Sequence, residues 1–116
     1  MPTIRKIHGE IIFPADAAPG VAPRVLVEVR DVSAQDQPSV VLATTTLRNV
    51  TIGPGMRIPF ALRAPNAAAE RSLSMRVQVD MHADRSYAPG DFLTTAAHSV
   101  AAAGDVLGVK AHVTKI

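Results

Sequence analysis

Between Leu73 and His82, apolar and polar residues alternate without a break. Leu73, Met75, Val77, Val79 and Met81 share one parity, and Ser74, Arg76, Gln78, Asp80 and His82 share the other. Side chains along an extended chain point to opposite faces in turn, so this run predicts a strand with one buried and one solvated face. A helix would spread the same residues around its circumference. Val25, Val27 and Val29 repeat the pattern against Leu26, Glu28 and Arg30, and Met56, Ile58, Phe60 and Leu62 repeat it against Arg57, Pro59, Ala61 and Arg63. Pro59 has no N–H to give to a ladder, which assigns its strand to an edge or turns its nitrogen outward. Near the C-terminus, Leu107, Val109, Ala111 and Val113 alternate with Lys110, His112 and Thr114. An opening strand over Ile4 to Phe13 and two more over Val40 to Ile52 and Asp91 to Val100 bring the expected count to about seven.

Turn chemistry fills the gaps. The segment from Pro14 to Pro23 holds three prolines and Gly20, and Ser33 to Pro38 is polar. Gly53-Pro54-Gly55 and Ala88-Pro89-Gly90 read as tight turns. Asn66 is placed to cap one helical turn over Ala67 to Glu70, which would serve as a cross-over between sheets. Ala101 to Gly104 is a second short turn or loop. Short strands at even spacing with no long helical period indicate an all-β fold. The expectation is an antiparallel β-sandwich, immunoglobulin-like or transthyretin-like, with at most one or two helical turns. No internal repeat or linker divides residues 1–116, so one domain is expected.

Composition narrows the chemistry. The 116 residues include no cysteine and no tryptophan, and aromatics make up 3%. Disulfides, thiolate metal sites and cysteine nucleophiles are therefore excluded. Few residues are present to stack bases or anchor a hot spot. Net charge is +2, and the 12 basic residues are dispersed rather than packed into a stripe, so nucleic acid is not an expected partner. No apolar run approaches the roughly 20 residues of a membrane span. Arg5 and Lys6 have no apolar stretch behind them, so no signal peptide is expected. The chain as encoded is expected in the cytoplasm, or in the periplasm or at the outer membrane if a leader has been removed.

No catalytic, cofactor or metal site is expected. His8, His82, His98 and His112 lack the spacings that bring two imidazoles to one metal, His82-Ala83-Asp84 being the nearest approach. Gly53-Pro54-Gly55 cannot cradle phosphate, because Pro54 removes an N–H and no long helix follows. No serine sits in a nucleophile elbow. Thr44, Thr45 and Thr46 suit a strand by propensity. Asp16, Asp31, Asp36, Asp84 and Asp91 fit turn and capping roles. The ending Val113-Thr114-Lys115-Ile116 lacks the Tyr-Arg-Gly-Ser signature of transthyretin-like hydrolases. Arg57, Arg63 and Arg76 would make a modest anion-attracting surface patch if their strands pair, with Glu28 and Asp80 near enough to neutralise it.

Several phrases together resemble the YbaY/YscW family of small bacterial lipoproteins, which includes the pilotin-type chaperones of type III secretion. They are Ile7-His8-Gly9-Glu10-Ile11, Val25 to Ser33 with its ending Arg30-Asp31-Val32-Ser33, and Pro38 to Ala43. Arg57-Ile58-Pro59-Phe60-Ala61-Leu62, Leu73 to Asp80 and Asp91-Phe92-Leu93-Thr94-Thr95 complete them. The resemblance spans about Ile7 to Val100 and implies a β-sandwich with a non-catalytic role. Pilotin-type members bind the C-terminal segment of a secretin and escort it by a lipid anchor, whereas this sequence has no cysteine to carry a lipid.

The expected function is thus a binding or chaperone-like module that takes a protein segment at a strand edge or in the cleft between sheets. The Pro59 strand and the Leu107 to Lys115 strand are the expected contacts. Self-association is a further possibility. The competing reading is a small-molecule or glycan-binding domain or a hydrolase built from Arg57, Arg63, Arg76 and the histidines. It requires them to share one concave pocket.

Overall fold

Alternation of apolar and polar residues is what the backbone follows throughout a computed structural model that describes residues 3–34, 36–83, 88–96 and 98–116. Nine strands occur among the described residues: β1 (Ile4–Ile12), β2 (Gly20–Asp31), β3 (Val40–Ile52), β4 (Arg57–Pro65), β5 (Leu73–Asp80), β6 (Phe92–Leu93), β7 (His98–Val100), β8 (Val106–His112) and β9 (Thr114–Lys115). They form a narrow sheet of order β4-β1-β8 and a wide sheet of order β3-β2-β5-β6-β9, with β7 also paired to β5. The fold is the expected all-β sandwich. The strand count exceeds the expected seven because short segments at the chain's second half pair separately. No helix among the described residues is long and apolar enough to cross a membrane.

The inward rows are those the alternation marks. Val25, Val27 and Val29 of β2 lie in register with Val79, Val77 and Met75 of β5, and all six are buried. Ile7 and Ile11 of β1 close the core from the narrow sheet, and Phe13 meets Phe92 edge to face at 5.1 Å between ring centres. Each such aliphatic side chain contributes about 1.5–3 kcal/mol by leaving water.

Departures from the expected pattern have local causes. The sheets are mostly antiparallel, but β1 and β8 run parallel. Strands this far apart in sequence have the long connection a parallel return requires. Leu107, expected on the buried side, is 75% exposed. The register against β1 slips by one residue between Ile7 and Gly9, and Gly108 adopts φ +81°, so the face of the preceding residues is reversed. The C-terminal strand does not continue to Lys115 in one sheet. Val113 donates to the Ile12 carbonyl, and β9 then pairs with β6 in the other sheet. Asp91 to Val100 likewise divides into β6 and β7, and between them the Thr94 hydroxyl accepts from the Val77 N–H at 3.2 Å in place of a ladder carbonyl.

The segment after β4 crosses between sheets as expected, yet as a turn closed by Arg71 N–H on the Ala68 carbonyl rather than a helical turn. Asn66 does not cap it. Its side chain instead clasps the Thr3 carbonyl and the Gly104 N–H, tying together three distant segments. Strand β2 begins at Gly20, inside the segment read as a turn, because Ala22 packs into the core. Gly53-Pro54-Gly55 is the expected tight turn, with Gly55 at φ +62° and its N–H on the Pro14 carbonyl.

Gly9 is where the parallel pair demands glycine. A Cβ there would stand 2.4 Å from the Val109 carbonyl oxygen and 2.8 Å from the Phe60 ring. One contact is backbone and cannot swing aside. Gly9→Ala is expected to cost at least about 2 kcal/mol by overpacking. Gly53→Ala, whose nearest contact is the flexible Met56 sulfur at 3.4 Å, serves as the control. Equal urea midpoints for the two variants would contradict this packing account.

Candidate functional site

The structure does not bring Arg57, Arg63 and Arg76 together. Arg57 and Arg63 lie on β4 in the narrow sheet, Arg57 beside Glu10 at 3.6 Å, while Arg76 lies on β5 in the wide sheet opposite Glu28. Strands β4 and β5 do not pair. His8 stands opposite Ala61, and His112 stands beside Ile12, four residues further along β1. That separation is about 13 Å at strand rise. Asp84, the second half of the His82-Ala83-Asp84 pattern, lies outside the described residues.

Alternation placed Gln78 and Asp80 on the solvated side, yet Asp80 is 0% and Gln78 7% exposed. Gln78 sits in register between Leu26 and Leu93, flanked by a strand on each side. Asp80, His82 and Asp91 gather so that their ligand-type atoms lie within 4.8 Å of one another. The donors around them define the role. Asp91 Oδ1 accepts from the Met81 N–H at 2.8 Å and lies 3.0 Å from His82 Nδ1, and Oδ2 accepts from the Ala88 N–H at 3.1 Å. Asp80 Oδ1 accepts from the N–H groups of His82 and Ala83 at 3.0 and 2.9 Å, and Oδ2 forms an ion pair with Arg24 Nε at 3.4 Å. Three of the four carboxylate oxygens accept from backbone N–H groups and the fourth is ion-paired with Arg24, so the pair of buried carboxylates pins the chain after β5 and before β6. A metal would have to compete with those donors.

Two hollows flank the wide sheet. One, of about 260 Å³, lies where Arg30, Arg76 and Ser74 meet Thr94 and Thr95. Its Arg30 is held by Glu28 at 3.0 Å and by the Ser39 hydroxyl at 2.8 Å, which spends much of its charge locally. The other, of about 230 Å³, is mostly apolar and lies against Ile52, Met81 and Phe92 with Lys115 at its rim.

Two further charged groups are structural. Arg5 shares the parity of Ile7 and Ile11 and is buried with them, its Nη1 donating to the carbonyls of Ala101 and Gly104. Burial lowers its pKa, against the pull of Asp105. Asp31 is held below its ordinary carboxylate range by hydrogen bonds from the Ser33 hydroxyl and then the Ser33 N–H, with Arg71 Nε adding a charged donor at 2.7 Å. Desolvation opposes the shift.

The sheet edges differ sharply in how they are protected. In the narrow sheet, β4 carries Pro59 and Pro65 and two exposed arginines, and β8 is broken by its bulge at Gly108 and carries Lys110. In the wide sheet, β9 is two residues long. The other edge, β3, has 13 residues, no proline and a single charge, Arg48. Among the described residues it pairs only with β2, and no backbone hydrogen bond from elsewhere reaches 40–51. The register slips between Val29 and Arg30, and Asn49 adopts φ 52°, which leaves 43–48 as the regular stretch. Thr44, Thr46 and Arg48 there are exposed. On the other face Ala43, Thr45 and Leu47 are only half-buried, although the β2 valines in register with them are fully buried. Below them, Val50, Met56 and Ile58 pack against the core while still half-exposed.

The fold is pilotin-like. A solved structure described as an alternative pilotin from the type II secretion system of Vibrio cholerae superposes with a TM-score of 0.70 at 20% sequence identity, covering 98% of this chain and 100% of that one. No family model matches the chain, and no curated protein matches it.

Two outcomes test these assignments. Asp91→Asn turns one acceptor into a donor facing N–H groups and is expected to cost about 2–3 kcal/mol in chemical denaturation. Exposed Asp16→Asn should leave the midpoint unchanged. For Asp31 the folded pKa is depressed, so its contribution is present above the ordinary value of 3.8 and is lost as pH falls through the lower folded value. Asp31→Asn should therefore flatten the acid limb of the stability profile below about pH 4, and an unchanged limb would show that the carboxylate is not linked to folding.

Proposed function

We propose that this chain is a non-catalytic protein-binding module, secretion-related and akin to the YbaY/YscW lipoproteins and their pilotin-type members. It receives an extended segment of a partner protein along the free edge of β3. The observation that carries the reading is that edge: long, nearly uncharged, free of proline and uncapped among the described residues. Natural sheets blunt such edges with charge, proline, bulges or shortness, as β4, β8 and β9 do here. An edge left open offers backbone N–H and C=O groups at strand spacing to an incoming strand. Each new backbone hydrogen bond contributes about 0.5–1.5 kcal/mol net, enough over six residues for a regulated contact. The half-buried side chains of Ala43, Thr45 and Leu47 would sort partners by shape on one face, and the threonine row on the other. The pilotin-like fold supports the secretion setting, with an envelope location when the chain is delivered there. The chain's place among the YbaY/YscW proteins rests on the phrases that carry the resemblance.

The competing small-molecule or hydrolase reading needs the arginines and histidines in one pocket. Their distribution over separate sheets gives it no support.

Titration of isotopically labelled protein with peptides from the C-terminal segments of secretins, the partners the resemblance implies, tests the proposal. Amide shifts should concentrate in 43–48. Shifts confined to β4 or β8, or none at saturating peptide, would overturn the assignment to β3.

A further inference from the structure

We infer that the same edge closes on itself: without a partner, β3 pairs antiparallel with β3 of a second copy about a two-fold axis at Thr46. The inference rests on the reading of β3 as the open edge and names a second occupant for it.

The sequence of the strand is self-complementary in this register. A two-fold axis normal to the sheet keeps each residue on its own face, so pairs must sum to an even number. With the axis at Thr46 the pairs are Thr46 with Thr46, Thr45 with Leu47 and Thr44 with Arg48. Threonine pairs across strands are favourable, whereas like charges directly opposite are not. The lone charge of β3 meets a threonine rather than its own copy. The same operation carries Val40 and Val41, which are 60% and 42% exposed, toward Val50 to Ile52 of the other copy. Both valines keep exposed apolar surface that this pairing would cover. The arrangement joins the two wide sheets into one, and symmetric pairing of this kind is closed, so it stops at a dimer.

Self-pairing also gives the module a default state. A partner segment must displace the second copy to reach β3, which keeps the edge from templating uncontrolled association. Partner binding then depends on protein concentration, because each dimer hides two sites.

Sedimentation equilibrium across a wide concentration range, with the wild type and two charge variants, tests this. The wild type should show concentration-dependent mass reaching the dimer. Thr46→Lys and Thr46→Glu, on an exposed position, should each keep the wild-type far-ultraviolet spectrum and weaken self-association about ten-fold or more, since each sets like charges face to face. Mixing the two variants should restore dimer, because the register then pairs lysine with glutamate. A wild type that stays monomeric throughout, or a dimer untouched by Thr46→Lys, overturns the inference. So does failure of the mixture to recover. A monomeric wild type whose 43–48 amides still respond to secretin peptides would remove the dimer and leave the partner-binding reading standing.

Discussion

Sheets in a sandwich shield each other only where they overlap, and here their widths differ. The narrow sheet has β4, β1 and β8, while the wide one extends from β3 to β9. Under the overlap, Val25, Val27 and Val29 are fully buried. One strand further out, in direct register with them, Leu47, Thr45 and Ala43 are half-buried. Burial falls across a single inter-strand step of about 4.8 Å. That overhang explains why β3 is rich in threonine rather than in larger aliphatics: a side chain there must tolerate water on both faces while keeping strand propensity. Among the described residues no strand pairs with β3 on its outer side.

Buried charge follows from the same economy of cover. Among the described residues no strand layer covers the outer face of the wide sheet, yet Asp80 is fully enclosed where the chain between β5 and β6 folds its backbone N–H groups onto the two carboxylates. Without them the N–H groups of Met81, His82, Ala83 and Ala88 would lack these acceptors, and buried unpaired donors are costly. The cluster resembles a ligand site in composition alone. Its hydrogen bonding makes it a clasp.

Much of the fold was legible because period-two alternation is a direct consequence of strand geometry. The Leu73 run, the β2 valines and the Pro59 edge followed from local sequence alone. What escaped was decided by distant neighbours. Leu107 reads as buried until a one-residue slip against β1 reverses it. Asp80 reads as solvated until Arg24 of the neighbouring strand pairs with it and the backbone at His82 and Ala83 turns back onto it. Asn66 has the composition of a helix cap, but Thr3 and Gly104 claim its side chain first. Arg5 was the exception, since its parity with Ile7 and Ile11 marks the inward face and the charge alone argues otherwise. The arginine patch failed to assemble for a topological reason: alternating passage between sheets puts β4 and β5, consecutive in the chain, on opposite layers.

The open edge at β3 was the hardest feature to read in advance, and the reason is physical. Proline and lysine in a strand announce an edge, so the Pro59 strand and the C-terminal strand were the natural expectation for contact. Those residues mark edges that are guarded. An edge meant to be used must lack the guards, and then its sequence, Val40 to Ile52, looks like any interior strand with a polar face. Only the sheet order separates the two cases. Uncharged strands flanked on both sides are core, whereas an uncharged strand with one free side is a surface awaiting a strand. In this molecule β3 has one free side among the described residues, and its single charge is what the proposed pairing, with a partner segment or with its own copy, relies on.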